Sequence, residues 1–271
     1  MAGPNTGAAP PSDPFATQIR SVDDALTAKG VVMILYGESG VGKTTLVKTL
    51  PGDRTLLYDV DGGLDPLRGW GGKVVSAPKE LTNLRQFVEY VTTATHPYST
   101  IVIDSVSLLE RRMVFAYGDS RGRDLITVQE YGDAATKLRS YLIQLRDLSA
   151  KGVNIIFICH VKTDAKGREG VKIPFLSDKL AVEIIGLSDL CGLLSRAPDG
   201  SRKLAFDGDA TAIVKTRFDT VHAAECLNLS DIIARARRLA PKPKAEAAPA
   251  PPAAKPAASD TAKLAAPAAV K

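Results

Sequence analysis

The most constraining feature of this 271-residue sequence is an apolar run that ends in a glycine-rich segment. Residues 31–36 read VVMILY, and residues 37–44 read GESGVGKT. A short, continuous apolar run bounded by glycine is typical of a strand buried on both faces of a parallel sheet. The next segment fits G-x-x-x-x-G-K-[ST], in which glycines let backbone N–H groups turn inward around phosphates. The sequence therefore predicts a strand, a phosphate-binding loop and a helix, in that order.

The side chains of this loop are those that a bound triphosphate requires. Lys43 is predicted to reach the terminal phosphates, and the hydroxyl of Thr44 to ligate Mg²⁺. We therefore expect the chain to bind ATP with Mg²⁺. The residues expected to hold them are Gly37, Glu38, Ser39, Gly40, Val41, Gly42, Lys43, Thr44 and Thr45.

Further apolar runs indicate that this strand belongs to a larger sheet. The predicted strands are residues 55–60 (TLLYDV), 100–103 (TIVI) and 154–159 (NIIFIC), with a shorter candidate at 73–77. Between them, apolar residues recur at helical spacing, namely Leu81, Leu84, Phe87, Val88 and Val91, and then Leu138, Tyr141, Leu142, Leu145 and Leu148. Strands that alternate with amphipathic helices predict an α/β fold, with a mainly parallel twisted sheet flanked by helices.

The pattern changes after Leu187. Candidate strands cover residues 189–195, 203–206 and 212–216, and Pro198-Asp199-Gly200 forms a turn between the first two. These elements predict an antiparallel C-terminal edge of the sheet. Ser230 is expected to cap a last helix over residues 231–239.

Composition sets the limits of the folded part. Residues 1–14 and 241–271 are dominated by Ala, Pro and Gly, and have almost no large apolar side chain to offset the entropy of ordering them. We expect both ends to be disordered and one domain to span residues 15–240. The C-terminal segment has five Lys against two acidic residues, so it supplies +3 of the total charge of +5. The folded part is therefore only weakly basic, and nucleic-acid binding would require a local basic cluster.

Cysteine usage and hydropathy bear on the cellular location. Cys159, Cys191 and Cys226 are far apart in the sequence and form no C-x-x-C pair, so we expect reduced core thiols rather than disulfides or a zinc site. No apolar run is long enough for a membrane span, and the N-terminus lacks the regions of a signal peptide. We expect a cytoplasmic protein without membrane contact.

A second motif is suited to hold the metal from the opposite side. Ile101-Val102-Ile103-Asp104 is an apolar strand that ends in a carboxylate, as in sites where an aspartate holds Mg²⁺ opposite a phosphate loop. The alternative is an ordinary aspartate at a strand end. Ser105, the next residue, is suited to orient a water molecule or a neighbouring group.

These motifs resemble the RecA-like P-loop ATPase core, and specifically the short phage RecA-like ATPases of single-strand annealing, over roughly residues 30–220. The loop opens with Gly-Glu-Ser and closes with Gly-Lys-Thr-Thr, and Asp104 is followed by Ser-Val, as in RecA proteins. Residues 57–66 (LYDVDGGLDP) are similar to the family segment that carries the general base, which implies this role for Asp61. Residues 157–160 (FICH) are similar to the segment that ends in a γ-phosphate sensor, which implies His160.

The sequence departs from the family at both positions, because RecA has Glu in place of Asp61 and Gln in place of His160. Aspartate is one methylene shorter, which predicts slow hydrolysis or hydrolysis only in an assembled state. The residues support a base independently, since a carboxylate at the carboxyl edge of a parallel sheet can orient a water. The alternatives are a turn aspartate before Gly62-Gly63 and a histidine with only a surface role.

The resemblance also implies single-stranded DNA as a partner. Residues 162–172 (KTDAKGREGVK) form the local basic cluster and take the place of the second DNA loop, whereas residues 116–131 take the place of the first. Positive loops suit sequence-independent contacts with a phosphate backbone, and the alternative is a solvated surface loop. The DNA-binding candidates are Arg121, Arg123, Lys162, Lys166, Arg168 and Lys172, together with the stacking candidates Tyr117 and Tyr131.

Residues 213–217 (IVKTR) are similar to the RecA strand whose two cations reach the ATP of a neighbouring subunit, which implies Lys215 and Arg217 and a homo-oligomer. An ordinary charged strand face is the alternative. The leading hypothesis is thus an ATPase that promotes annealing or recombination on single-stranded DNA, with a single-strand DNA-binding protein as a further candidate partner. A ring-type RecA-fold DNA motor and a nucleotide-gated adaptor are the rival functions.

Overall fold

The computed structural model describes residues 19–119, 127–164, 170–208, 211–224 and 227–237. Within these ranges its framework is a sheet of ten strands. The strands are β1 (Val32–Gly37), β2 (Thr55–Asp59), β3 (Lys73–Ser76), β4 (Thr100–Asp104), β5 (Asn154–Thr163), β6 (Lys172–Pro174), β7 (Leu190–Arg196), β8 (Arg202–Ala205), β9 (Lys215–Thr216) and β10 (Ala223–Ala224).

The sheet is parallel at its centre and antiparallel at one edge. The strands lie in the order β10-β8-β7-β1-β5-β4-β2-β3. All neighbours from β7 to β3 pair in parallel, whereas β8 and β10 continue the sheet in antiparallel fashion. The short strands β6 and β9 pair antiparallel with β5 and β7. The predicted fold class, a mainly parallel sheet with an antiparallel C-terminal edge, is confirmed.

Helices cover both faces of the sheet, which explains why β1 is apolar at every position. Ile34 and Tyr36 belong to the core beneath α3, α4, α5 and α6, whereas Met33 and Leu35 belong to the core beneath α2 and α7. The described helices are α1 (Val22–Thr27), α2 (Lys43–Val47), α3 (Leu84–Thr93), α4 (Val106–Asp119), α5 (Val128–Asp147), α6 (Asp178–Leu187) and α7 (Leu229–Arg237). Short 3₁₀ turns occur at Gly52–Arg54, Asp65–Leu67 and Leu148–Lys151.

Helix ends follow local capping chemistry, which corrects one prediction. Thr127 and Glu130 form a capping box at the start of α5. Ser230, the predicted cap of the last helix, lies inside α7 and donates through Oγ to the carbonyl of Thr49. The side chain of Asn228 instead accepts from the Asp231 N–H at 3.1 Å. Asn228, two residues earlier, therefore caps α7, and the Ser230 hydroxyl binds the carbonyl of Thr49, which follows α2.

Several predicted boundaries shift. The strand predicted over 212–216 contains only Lys215–Thr216, and β5 continues beyond the predicted 154–159 to Thr163. Leu81 and Leu148 are buried as expected but lie outside α3 and α5. These residues keep the helical spacing because the same core covers the adjoining turns.

The thiols of Cys159 and Cys191 are free and buried, as predicted, whereas Cys226 lies outside the described residues. The terminal segments 1–14 and 241–271 also lie outside them. In the part of the chain that the structure describes, every helix is too short or too polar to cross a membrane.

Candidate functional site

The glycine-rich loop turns sharply as it leaves β1. Gly40 and Gly42 have φ angles of 73° and 103°, in the left-handed region that side chains with a Cβ rarely adopt. Val41, between them, is buried and anchors the loop to the core. Helix α2 begins at Lys43, directly after the loop. The structure thus has the predicted order of strand, loop and helix, and the glycines occupy positions where their backbone freedom is needed.

The ammonium group of Lys43 is held over this loop. Nζ donates to the carbonyl oxygens of Gly37 and Glu38 at 2.9 Å and 2.8 Å, and the residue is only 6% exposed. Burial lowers the pKa of Lys43, and the charges of Asp104 and Asp61 act in the opposite direction. A buried cation therefore lies at the centre of the loop, with carboxylates close enough to favour its charged form.

Thr44 and Asp104, the two predicted metal ligands, are in direct contact. The Thr44 hydroxyl donates to Asp104 Oδ2 at 2.6 Å. Asp104 ends β4 and is 3% exposed. Burial raises its pKa to about 6, although the hydrogen bond from Thr44 acts against that shift. Two hard oxygen atoms beside the phosphate loop are the donor type that Mg²⁺ prefers, so these residues fit the expected ion.

Asp61 follows β2 and is fixed by two donors. Its Oδ1 accepts from Ser105 Oγ at 2.9 Å, and its Oδ2 lies 3.3 Å from His160 Nε2. Burial would raise the pKa of Asp61, but the hydrogen bonds from His160 and Ser105, with the charge of Lys43, hold it below its usual value. The turn at Gly62 is closed by Asp59, whose Oδ1 accepts the Gly62 N–H at 2.9 Å. The side chain of Asp61 therefore faces the site rather than the turn.

Strand order explains how His160 reaches this position. β5 lies between β1 and β4, and His160 is level with Gly37, the first residue of the loop. Its backbone N–H donates to Ser107 Oγ at 2.9 Å, which ties β5 to the start of α4. His160 thus stands between the phosphate loop on one side and Asp104 on the other. The structure brings together Lys43, Thr44, Asp61, Asp104 and His160 at one edge of the sheet.

The remaining loop residues form the rim. Glu38 and Ser39 are exposed, whereas Thr45 is half-buried in α2. Glu38 Oε1 lies 3.5 Å from Lys172 Nζ. The rim of the phosphate loop is therefore in contact with the predicted DNA-binding segment.

That segment differs from the prediction, because its ends form a β-hairpin and not a mobile loop. Lys162 lies in β5 and Lys172 in β6, and these strands pair antiparallel. Lys162 Nζ donates to the carbonyl of Leu176 and contacts Asp178 Oδ1 at 3.0 Å, so it is engaged within the chain. The other two basic candidates, Lys166 and Arg168, lie outside the described residues.

The other predicted DNA-binding segment, 116–131, is also largely helical at its ends. Tyr117 belongs to α4 and Tyr131 to α5, so the prediction of a loop over the whole range was wrong there. The capping box at Thr127 starts α5 earlier than the sequence pattern indicated. Arg121 and Arg123 lie outside the described residues.

The predicted trans-acting cations contact their own chain. Lys215 Nζ donates to the carbonyl oxygens of Ile185 and Gly186 at 2.7 Å and 2.8 Å, at the end of α6. Arg217 donates to Gly186 and to Asp189. The sequence predicted a strand that places Lys215 and Arg217 on the same free face. Among the described residues β9 ends at Thr216, so Arg217 lies outside that strand. A trans-acting role would require both side chains to leave these bonds.

Two arginines at the site were not singled out from the sequence. Arg202 in β8 lies against the phosphate loop, since a Cβ placed on Gly42 would be 2.9 Å from its Cζ and Nη1. Arg196 in β7 lies directly opposite Arg202. Neither belongs to a local motif, and only the pairing of β7 with β1 carries them to the loop.

The fold and loop together define a P-loop nucleotide-binding domain of the ATPase type. A family model described as an AAA domain matches residues 29–223, which is more than two thirds of the chain. The chain therefore belongs to the AAA domain family. No curated protein matches the sequence.

A solved structure of "a prototypical ATPase from the type III secretion system of pathogenic bacteria" is similar at 15% sequence identity. The match covers 62% of this chain and 53% of that chain, with a TM-score of 0.44. This chain thus spans about half the length of that protein.

Proposed function

We propose that this AAA domain hydrolyses ATP in the presence of Mg²⁺ and uses the cycle to promote annealing or recombination of single-stranded DNA. The observation that carries the hydrolytic part is the position of Asp61. Its carboxylate is held by Ser105 and His160 beside the lysine of the phosphate loop. A carboxylate fixed by two donors is ionised at neutral pH and can orient an attacking water, and its lowered pKa makes it a weak base, in line with slow hydrolysis.

Each residue of the site has a distinct task in this proposal. Lys43 exchanges its carbonyl partners for the terminal phosphate oxygens, and the loop amides bind the phosphates between the glycines. Thr44 and Asp104 would hold Mg²⁺, which would supply positive charge to the phosphates. Asp61 orients the water and takes its proton while the water oxygen bonds to the γ-phosphorus, the bond from that phosphorus to the β–γ bridging oxygen breaks, and ADP leaves. Ser105 and His160 fix the carboxylate so that little reorganisation is needed when the water attacks.

The DNA part is supported by an exposed aromatic ring and a cation near this edge. Arg111, Phe175, Asp61 and His160 line one cavity of about 180 Å³. Phe175 is 42% exposed, and the Arg111 guanidinium lies 5.9 Å from its ring centroid. Rings for stacking and cations for phosphates are the two components of sequence-independent binding of single strands. We also propose that Lys166, Arg168, Arg121 and Arg123, which lie outside the described residues, contribute cations to DNA binding.

A direct contact joins the aromatic residue to the hydrolytic group. The backbone N–H of Phe175 donates to the carbonyl of His160 at 2.8 Å. A DNA strand that stacks on Phe175 would therefore shift the backbone of His160, the residue that holds Asp61. This connection favours turnover that depends on DNA, and we propose that a homo-oligomer forms on the strand.

The test measures ATP turnover of the wild-type protein with and without single-stranded DNA, and then annealing of complementary oligonucleotides. Lys43→Ala is expected to abolish turnover and ATP-dependent annealing, since it removes the buried cation of the loop. Phe175→Ala is expected to keep basal turnover and lose the stimulation by DNA, with Val182→Ala, also an exposed apolar residue, as its control. Wild-type turnover that DNA leaves unchanged, with no DNA retained at low salt, would contradict the DNA part. Absence of any turnover with Mg²⁺ would contradict the hydrolytic part.

A further inference from the structure

The antiparallel edge of the sheet presents a pair of arginines to the phosphate loop. β7 pairs in parallel with β1, and Leu194 is level with Gly37, where the loop begins. Arg196 lies two residues further along β7, and Arg202 faces it from β8. Strand pairing alone therefore carries both arginines past the end of β1, to the level of the loop.

This pairing is electrostatically unfavourable as it stands. Residues directly opposite each other in antiparallel strands point to the same face, and like charges in that arrangement are destabilising. Both side chains are exposed, and among the described residues neither guanidinium forms a hydrogen bond or an ion pair. Arg196 also lines a cavity with Glu38, whose carboxylate lies 3.5 Å from Lys172 Nζ. Two adjacent cations that form no ion pair among the described residues are suited to bind an anion.

Arg202 lies close enough to the loop to share its ligand. A Cβ on Gly42 would approach Arg202 Cζ and Nη1 to 2.9 Å, closer than real Cβ contacts. Position 42 favours glycine because of its φ of 103°, and the contact with Arg202 shows how near the guanidinium lies to the loop. The residue next to Gly42 is Lys43, whose ammonium group lies over the loop.

The two sides of the loop carry different chemistry. β5 and β4, on one side of β1, supply His160 and Asp104, and Asp104 contacts Thr44. β7 and β8, on the other side, supply Arg196 and Arg202. If the terminal phosphate of a nucleotide lies at Asp104, the arginines would contact an inner phosphate, which Thr44 and Asp104 do not reach.

We infer that Arg202, with Arg196 beside it, is a metal-independent binding site for the nucleotide's inner phosphates on the side of the loop opposite Asp104. The ligand class is nucleoside di- and triphosphates, because a planar guanidinium can donate two hydrogen bonds to one phosphate. The inference rests on the proposed function only in requiring a nucleotide in the phosphate loop. It assigns affinity, and not hydrolysis, to the arginine pair.

The experiment measures the dissociation constant of a fluorescent ADP analogue, with Mg²⁺ and with EDTA. Arg202→Ala is compared with Lys203→Ala, which removes a cation from the neighbouring position of β8 that faces the opposite side of the sheet. A lost charge-assisted hydrogen bond is expected to weaken binding by about tenfold or more in both buffers. Arg202→Lys is expected to recover part of the loss, because lysine keeps the charge but not the planar geometry. Arg196→Ala is expected to weaken binding less than Arg202→Ala.

The outcomes separate this inference from the proposed function. If wild-type protein binds ADP and Arg202→Ala binds as tightly as Lys203→Ala, the arginine site is wrong while nucleotide binding stands. A loss that appears only with Mg²⁺ would also overturn it, since that result would place Arg202 with the metal ligands. If the wild-type protein binds no nucleotide, the failure lies in the proposed function. Circular dichroism of each variant controls for folding.

Discussion

Two buried aspartates, at opposite edges of the same sheet, differ in how their charges are compensated. Asp189, at the amino edge, accepts from Lys29 Nζ at 2.9 Å, from Arg217 at 3.3 Å and from the Val32 N–H at 3.0 Å. The carboxylate of Asp104, at the carboxyl edge, accepts only the Thr44 hydroxyl among the contacts in the described residues, and its pKa is raised to about 6 by burial. The two residues are 2% and 3% exposed.

The two carboxylates are therefore equally buried, but only the charge of Asp189 is compensated by cations in direct contact. A buried carboxylate that receives its cations from its own chain stabilises the fold once those cations are in place. The carboxylate of Asp104 contacts no cation directly among the described residues, although the nearby charge of Lys43 and the hydrogen bond from Thr44 oppose the effect of burial. Buried carboxylates of this kind cost stability and cluster at functional sites. From this contrast we propose that Asp189 stabilises the fold and that Asp104 takes part in hydrolysis, and the variants below test that proposal.

The largest effect is expected from Asp104→Asn. The amide cannot supply the charged oxygen that we propose for the metal, so ATP turnover should fall about a thousandfold, equivalent to roughly 4 kcal/mol. The free energy of unfolding without Mg²⁺ should stay equal or rise, because a poorly compensated buried charge is removed. Turnover assays and urea unfolding in EDTA measure the two quantities. A variant that is strongly destabilised and hydrolyses normally would reverse the assignment.

The same replacement at the other edge, Asp189→Asn, should have the opposite result. Removing one partner of a buried ion pair costs about 3–5 kcal/mol, and the lower value applies because Lys29 and Arg217 are partly exposed. We expect a loss of about 3 kcal/mol in the free energy of unfolding, with turnover per folded molecule unchanged. If urea unfolding gives the same midpoint as wild type, the amino-edge cluster is not a stabilising one.

An intermediate effect is expected from Ser105→Ala, which removes one of the two donors to Asp61. Turnover should fall about tenfold, because the carboxylate loses a fixed orientation, whereas the affinity for ATP should change little. Steady-state kinetics separate kcat from KM. Ser140→Ala, on the exposed side of α5, is the matched control. A rise in KM at constant kcat would place Ser105 in binding and not in orientation of the base.

The smallest effect is expected from Lys215→Ala. The lysine caps the carbonyl oxygens at the end of α6, so its loss should lower the free energy of unfolding by about 1 kcal/mol. Turnover on single-stranded DNA should remain, since the group lies at the amino edge. The trans-acting role implied by the RecA resemblance predicts the reverse, a large loss of turnover with stability unchanged.

Local patterns were sufficient for the fold class and for the phosphate loop. The apolar runs at β1, β2, β4 and β5 predicted buried parallel strands because each strand is covered on both faces. Lys43 and Thr44 followed from one contiguous motif, and Asp104 from an apolar strand with a terminal carboxylate. Where a short stretch of chain determines the geometry, the sequence contains enough information to predict it.

Contacts between segments that are distant in the sequence could not be predicted from local patterns. From the sequence, Lys162 and Lys215 were expected to be exposed basic residues. Lys162 instead binds the carbonyl of Leu176, just before α6, and Lys215 binds carbonyl oxygens at the end of α6. Arg202 has no motif, and its approach to Gly42 depends on the pairing of β8, β7 and β1. Such partners lie many residues away in sequence, so composition predicts the charge of a side chain but not what it binds.

The position of β5 between β1 and β4 also limits how this chain can change in length. Side chains alternate along a strand, so deleting a single residue between Asn154 and His160 would turn the imidazole to the opposite face and slip the pairing with both neighbours. Residues added after Thr163 would leave that pairing as it is. We therefore expect the fold to tolerate insertions after Thr163, where β5 ends, and to be disrupted by insertions or deletions in the six residues that precede His160.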